Sequence, residues 1–185
     1  VSALTEYTQG ADTSAVKEFK ISSADALTAL SSDIKPDDGK GTYNMAGVTF
    51  YLANDIKLSG SFTPISNVTY PADAFAGTFD GNGHSITGLS INSSSTGGIG
   101  LFSFVNGGTI QNLKVEGTIN SEKSQFVGGI VGKTQGTVKI TNCSFSGSIT
   151  TSKSGSSAAA GGILGRVNSG SPEIRNCANF ADITS

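Results

Sequence analysis

The stretch Asp80-Gly81-Asn82-Gly83-His84 gathers the side chains in this sequence that most resemble a reactive or ligand-holding site. Oxygen donors alternating with glycines look like the opening half of a calcium loop, which makes Asp80 and Asn82 the candidate metal ligands. An EF-hand loop needs further oxygens and a bidentate Glu at its twelfth position, and here that place holds Ile91. The same five residues can instead form a turn, with Gly81 and Gly83 at positive φ and Asp80 and Asn82 bonding to nearby backbone amides; the turn is the expected role. His84 is the single histidine. It could serve as a general base, but spacing places no Ser or Cys nucleophile with an orienting carboxylate beside it, so a structural or solvent-facing role is expected. Two cysteines and one histidine leave little material for a thiol or imidazole metal centre, and no cofactor is expected.

The elements that position these residues follow from an internal repeat. Gly98-Ile99-Gly100-Leu101-Phe102 recurs as Gly128-Gly129-Ile130-Val131-Gly132 and as Gly161-Gly162-Ile163-Leu164-Gly165. Behind each comes a second block: Ile110-Gln111-Asn112-Leu113-Lys114-Val115, Ile140-Thr141-Asn142-Cys143-Ser144-Phe145, and Ile174-Arg175-Asn176-Cys177. A third block reads Gly117-Thr118-Ile119, Gly147-Ser148-Ile149 and, more loosely, Ala181-Asp182-Ile183. Each block is too short for a helix and suits a strand of about 3 to 6 residues. Three strands per period predict a coil whose equivalent strands stack in parallel about 4.8 Å apart, with Ile, Leu and Val inside and Ser, Thr and Lys outside. The fold class is therefore all-β, a right-handed parallel β-helix of about four to five coils, the hand following from the crossover rule together with the family resemblance given below. Asn112, Asn142 and Asn176 are expected at a corner, as a ladder of stacked amides. Leu113, Cys143 and Cys177 fall in one inward file. Stacked Cα atoms lie within disulfide range, but thiols in such a file pack equally well as small apolar groups, and the reduced state is favoured.

A β-helix suggests an enzyme acting on polysaccharides, and glycoside hydrolysis needs two carboxyl groups about 5 to 9.5 Å apart on outward positions of adjacent coils. The outward columns read Thr109, Lys139, Glu173; Gln111, Thr141, Arg175; and Lys114, Ser144, Ala178. They hold one carboxylate, expected to pair with Lys139 across a coil, while Glu116 stands alone. Asp33, Asp37 and Asp38 read as a solvated turn. No catalytic residue is assigned.

Residues 1–45 do not join the repeat. Leu27, Leu30 and Ile34 share one helical face, and Ser22 with Asp25 resembles a capping box, which predicts a helix over about 22–34 capping the coil opening, with the β-helix running over 46–185. A turn is expected at Pro36-Asp37-Asp38-Gly39, and polar loops at Ser121 to Ser124 and Thr150 to Ala160. Sequence stops at Ser185 inside a repeat and starts at Val1 without a charged, apolar leader, which reads as a processed piece of a longer multidomain chain.

Gly129-Ile130-Val131-Gly132 and Gly162-Ile163-Leu164-Gly165 resemble the GLUG-motif repeats of bacterial surface and secreted proteins, with Ile for Leu; Gly100-Leu101-Phe102-Ser103 lacks the last glycine. Phe75 to Ile86 is similar to the segment that commonly precedes those repeats. The resemblance implies a pectate-lyase-like β-helix within a large extracellular, adhesin-like protein.

Composition narrows the partners. Of 185 residues, 83 are Gly, Ser, Thr or Asn, and a net charge of -2 with 12 dispersed basic residues provides no footprint for nucleic acid or an anionic membrane. No apolar run reaches the roughly 18 to 20 residues of a membrane span. The expectation is a non-catalytic extracellular structural or adhesion module, a rigid stalk or display domain of a bacterial cell-surface or secreted protein. Its partners would be the rest of a parent chain and a host or cell-surface glycan or protein. The alternative is a β-helix lyase or hydrolase acting on polysaccharide.

Overall fold

Short apolar runs broken by Gly or Asn cannot propagate a helix, but each can add one rung to a stack in which every backbone group finds a partner in the next coil. The computed structural model, which describes residues 1–35, 44–153 and 158–185, builds such a stack. β1 (Glu18–Ile21) leads into α1 (Ala24–Asp33), then β2 (Thr49–Leu52) and β3 (Ile56–Lys57). A four-strand order follows: β4 (Thr78–Asp80), β5 (Ser85–Ser93), β6 (Gly98–Ile99) and β7 (Phe102–Asn106). It repeats as β8 (Thr109–Gln111), β9 (Lys114–Ser121), β10 (Phe126–Gly128) and β11 (Val131–Gln135), and again as β12 (Lys139–Thr141), β13 (Ser144–Thr151), β14 (Ala159–Gly161) and β15 (Leu164–Val167). β16 (Glu173–Arg175) and β17 (Ala178–Thr184) lie on the last coil.

Equivalent strands pair in parallel, giving sheets β1-β2-β4-β8-β12-β16, β3-β5-β9-β13-β17, β6-β10-β14 and β7-β11-β15. The chain is thus a parallel β-solenoid of about five turns. Each full coil carries four strands rather than three, because the first two sequence blocks each straddle a corner: the glycine block spans β6 and β7, and the asparagine block spans β8 and β9.

Register stacks like on like. Phe19, Phe50, Phe79, Ile110, Ile140 and Ile174 form one file, and Ile91, Ile119, Ile149 and Ile183 another. All are buried except at the last coil, where Ile174 and Ile183 are 45% and 40% exposed. At the other end Tyr7 sets its ring edge against Phe19 and Phe50, with centroids 5.2 and 5.1 Å away.

The N-terminal segment belongs to this stack, which corrects the boundary drawn at residue 45. β1 pairs with β2 over Glu18 to Ile21, a parallel strand whose inward Phe19 and Ile21 a reading built on the glycine block does not reach. α1 does close the core, with Leu27, Leu30 and Ile34 buried in it. Its N-cap is Ser23, whose hydroxyl accepts from the Ala26 amide at 3.2 Å. Ser22 instead serves Glu6, donating its amide and hydroxyl to the carboxylate at 2.9 and 2.7 Å. The expected turn at residues 36–39 lies outside the described residues.

The repeated glycines answer to close backbone approach, since β6, β10 and β14 fold back tightly over β7, β11 and β15. A Cβ on Gly132 would overlap the Ile99 amide, and one on Gly129 would overlap the Phe145 ring and the Gly162 carbonyl. Ser121 and Ser124, expected in a solvated loop, are buried: the Ser121 hydroxyl accepts from the Ser124 amide at 3.2 Å. Of the longer expected loop, Thr150 and Thr151 end β13 and Ala159–Gly161 form β14, while residues 154–157 lie outside the described residues.

Candidate functional site

The residues singled out by their chemistry converge on the corner between the β4-β8-β12-β16 and β5-β9-β13-β17 faces. Asn112, Asn142 and Asn176 all adopt the left-handed backbone there, at φ 53°, 53° and 51°. Asn142 Nδ2 donates to Asn112 Oδ1 at 3.0 Å, and Asn112 Nδ2 donates to Asp80 Oδ1 at 3.0 Å. The side-chain ladder therefore runs Asn142, Asn112, Asp80. Asn176 shares the backbone geometry and, among the described residues, makes no side-chain rung.

Asp80 is committed to this corner. Its Oδ1 also accepts from the Asn82 amide at 2.7 Å, and its Oδ2 accepts from Gln111 Nε2 at 2.8 Å. Asn82 donates through Nδ2 to the Leu52 carbonyl at 3.2 Å. The turn reading of this motif fits these bonds, with one change of residue. Asn82 (φ 51°) and Gly83 (φ 81°) occupy the two central positions, closed by the His84 amide on the Gly81 carbonyl at 2.8 Å, the pattern of a type I′ turn. Gly81 is needed for space instead, because a Cβ there would strike the Asn112 carbonyl and stand 2.7 Å from Leu113 Cα. Among the described residues no cluster of three or more His, Cys, Asp or Glu surrounds a possible metal position.

His84 Nδ1 stands 3.4 Å from Asp55 Oδ1, a partner that spacing alone does not reveal. Asp55 also accepts from the Ser85 amide at 2.8 Å, and these bonds hold its carboxyl below the usual range. The carboxylate is 74% exposed, and the pair reads as a surface clasp between coils.

Register confirms the outward columns Thr109, Lys139, Glu173 and Gln111, Thr141, Arg175, and extends both toward the N-terminus. The first continues through Thr78 and Thr49 to Glu18, the second through Asp80 and Tyr51 to Lys20. These N-terminal extensions, which the repeated blocks do not reach, add two carboxylates, Glu18 and Asp80. Tyr51 lies between them and donates its hydroxyl to Glu18 at 3.1 Å; desolvation and the two acids raise its pKa. Glu173 pairs with Arg175 two residues along its own strand rather than with Lys139. Asp33 accepts from the Tyr7 hydroxyl and the Gly10 amide, each at 2.7 Å, instead of facing solvent in a turn; Asp37 and Asp38 lie outside the described residues.

Leu113 and Cys143 are buried and Cys177 partly so; the Leu113 carbonyl accepts from the Ser144 amide and the Cys143 carbonyl from the Ala178 amide, each one coil on, and both thiols are free. Burial pushes the Cys143 thiol up to about 12, an unreactive state at neutral pH. A hollow of about 360 Å³ beside α1 brings Glu6, Tyr7 and Asp25 together, but Glu6 is already engaged by Ser22.

The tight glycine reversal between β10 and β11 and the corner at Asn142 both fall in one sequence pattern: residues 127–150 match the family model described as the GLUG motif. The chain carries a GLUG motif. The chain is 36% identical over 109 residues, 58% of its length, to halomucin of Haloquadratum walsbyi (strain DSM 16790 / HBSQ001). The matched region covers 1% of halomucin, so the chain spans a very small part of that relative. Among solved structures it is similar to a proposed immunoglobulin A1 protease from Bacteroides ovatus, at 17% identity and a TM-score of 0.46, over 97% of this chain and 70% of that one.

Proposed function

We propose that this GLUG domain is an extracellular structural module, a rigid spacer or display unit of a bacterial secreted or cell-surface protein. One observation carries the reading: inward files of large apolar side chains run without interruption from Phe19 to Ile140, so the coils stack as one stiff body. The GLUG motif and the similarity to halomucin support an extracellular or surface location. The proposed partners are further parts of a longer parent chain, in support of which the similarity spans only 1% of halomucin, and a glycan or protein ligand on the outer faces.

The second reading is a β-helix enzyme acting on polysaccharide. Glu18 and Asp80 on one face are the residues that favour it, and the three hydrogen bonds on Asp80 weigh against a free acid or base there. Incubation with neutral and acidic polysaccharides, scored for new reducing ends or unsaturated products, separates the two. The structural reading expects no turnover. Turnover abolished by Asp80→Asn or Glu18→Gln in a folded protein would overturn it.

A further inference from the structure

On the outer face of the β7-β11-β15 sheet, register places Phe104, Lys133 and Arg166 in one file on successive coils. Strands in such a stack stand about 4.8 Å apart. Two cations in direct cross-strand register repel each other, an arrangement that sheets ordinarily avoid. Each is held in place by an aromatic ring. Lys133 Nζ lies 4.1 Å from the Phe104 ring centroid, and Phe104 is itself fixed by Val68 and Ala74. Arg166 Cζ lies 4.4 Å from the Phe126 centroid.

No carboxylate among the described residues relieves this repulsion, because the two ion pairs found there join His84 to Asp55 and Glu173 to Arg175. Burial alone pulls the Lys133 amine down, with no acid among the causes. Phe126 is flanked in its file by Gly98 and Ala159, so small residues border the cations on the adjoining sheet. Two residues along β11, Gln135 accepts through Oε1 from Asn168 Nδ2 at 3.1 Å, which sets side-chain amides beside the charges.

We propose that Lys133 and Arg166 form an anion-binding site on this face, and that its ligand is an acidic polysaccharide bearing sulfate or carboxylate groups. The cations meet the oxyanions, and the amides of Gln135 and Asn168 meet hydroxyls along the same chain. A protein partner would need an apolar anchor, and neither ring at the site offers one, since Phe104 is buried and Phe126 is covered by Arg166. The site is separate from the Asp80 corner and independent of whether that corner has any activity.

The test is titration of the intact chain, at low and raised salt, with heparin as the sulfated polymer, polygalacturonate as the carboxylated one, dextran as the neutral one and poly-glutamate as an acidic peptide. Wild-type protein should bind at least one acidic polysaccharide, release it as salt rises, and ignore dextran. Lys133→Gln and Arg166→Gln should each weaken binding about tenfold, the double variant more, and Lys114→Gln on another face should change nothing. Circular dichroism and thermal melts verify that the variants fold, and Arg166→Lys should recover part of the affinity. The sulfated and carboxylated arms identify the oxyanion. No binding to either acidic polysaccharide, unchanged binding by the folded double variant, or tighter binding to poly-glutamate than to both would overturn the proposal.

Discussion

Asn142 donates its side-chain amide to Asn112 Oδ1 across one coil at 3.0 Å, while both residues hold the left-handed backbone at φ 53°. One residue type thus turns the chain at the corner and ties that corner to the coil below. Asn is suited to both tasks, since its short polar side chain tolerates this region and carries a donor and an acceptor.

Replacing Asn142 separates the two contributions. Asn142→Ala loses the amide bond and places a Cβ residue without local hydrogen bonding in the left-handed region, and it should cost about 1–2 kcal/mol. Asn142→Gly keeps the backbone freedom and should cost less. Urea midpoints of the two variants check this order; equal loss in both would show that the backbone requirement is absent.

Burial along one file predicts a gradient. Ile119 is fully buried and Ile183 is 40% exposed, in the same register column. Ile119→Ala should cost about 2–5 kcal/mol, and Ile183→Ala less than about 1 kcal/mol, by denaturant unfolding.

The glycine block should be intolerant of even a methyl group. A Cβ at Gly132 meets the Ile99 amide and stands 2.7 Å from the Gly98 carbonyl carbon, both on the facing strand. Gly132→Ala is expected to cost about 1–3 kcal/mol through overpacking. A thermal midpoint unchanged from wild type would show that the two strands have room to separate.

Stability should fall at alkaline pH in part because of Cys143. Its thiol stands near 9.0 when unfolded and is raised to about 12 by burial. Above pH 9 the unfolded chain therefore sheds a proton that the native chain keeps, so this contribution is complete below pH 9 and disappears as pH climbs toward 12. The Tyr7 hydroxyl, raised by desolvation and by Asp33, adds a loss of the same sign above pH 10. Cys143→Ala should flatten the stability profile between pH 9 and 12. In the native wild type at pH 8, iodoacetamide should modify the partly buried Cys177 before Cys143.

The solenoid was legible in the sequence because each coil repeats its own exceptions: a glycine pair where strands fold back, an asparagine where the chain turns, an isoleucine between. Those signals located the Asn112 and Asn142 corner, the Leu113 and Cys143 file, and the outward columns of the last three coils. They failed where a coil lacks the exceptions. β1 and β2 carry Phe19 and Phe50 in the shared file without a glycine block or a corner asparagine, so the columns stopped short of Glu18, Tyr51 and Asp80. Side-chain choices were less legible than register. Glu173 had Lys139 beside it on the next coil and Arg175 two positions along its own strand, and spacing does not rank the two. The cap at Ser23 rather than Ser22 turned on Glu6, a residue remote in sequence.

The most direct test of the stacking is disulfide trapping between neighbouring coils. Thr118 and Ser148 are register partners on β9 and β13, with their hydroxyls 3.4 Å apart. In a Cys143→Ala, Cys177→Ala background, Thr118→Cys with Ser148→Cys should cross-link nearly completely under mild oxidation, because paired parallel strands bring the Cα atoms within disulfide range. Thr118→Cys with Thr150→Cys, two residues out of register, should stay reduced. Cross-linking of the second pair in place of the first would contradict the parallel, in-register coils on which the structural and functional readings both depend.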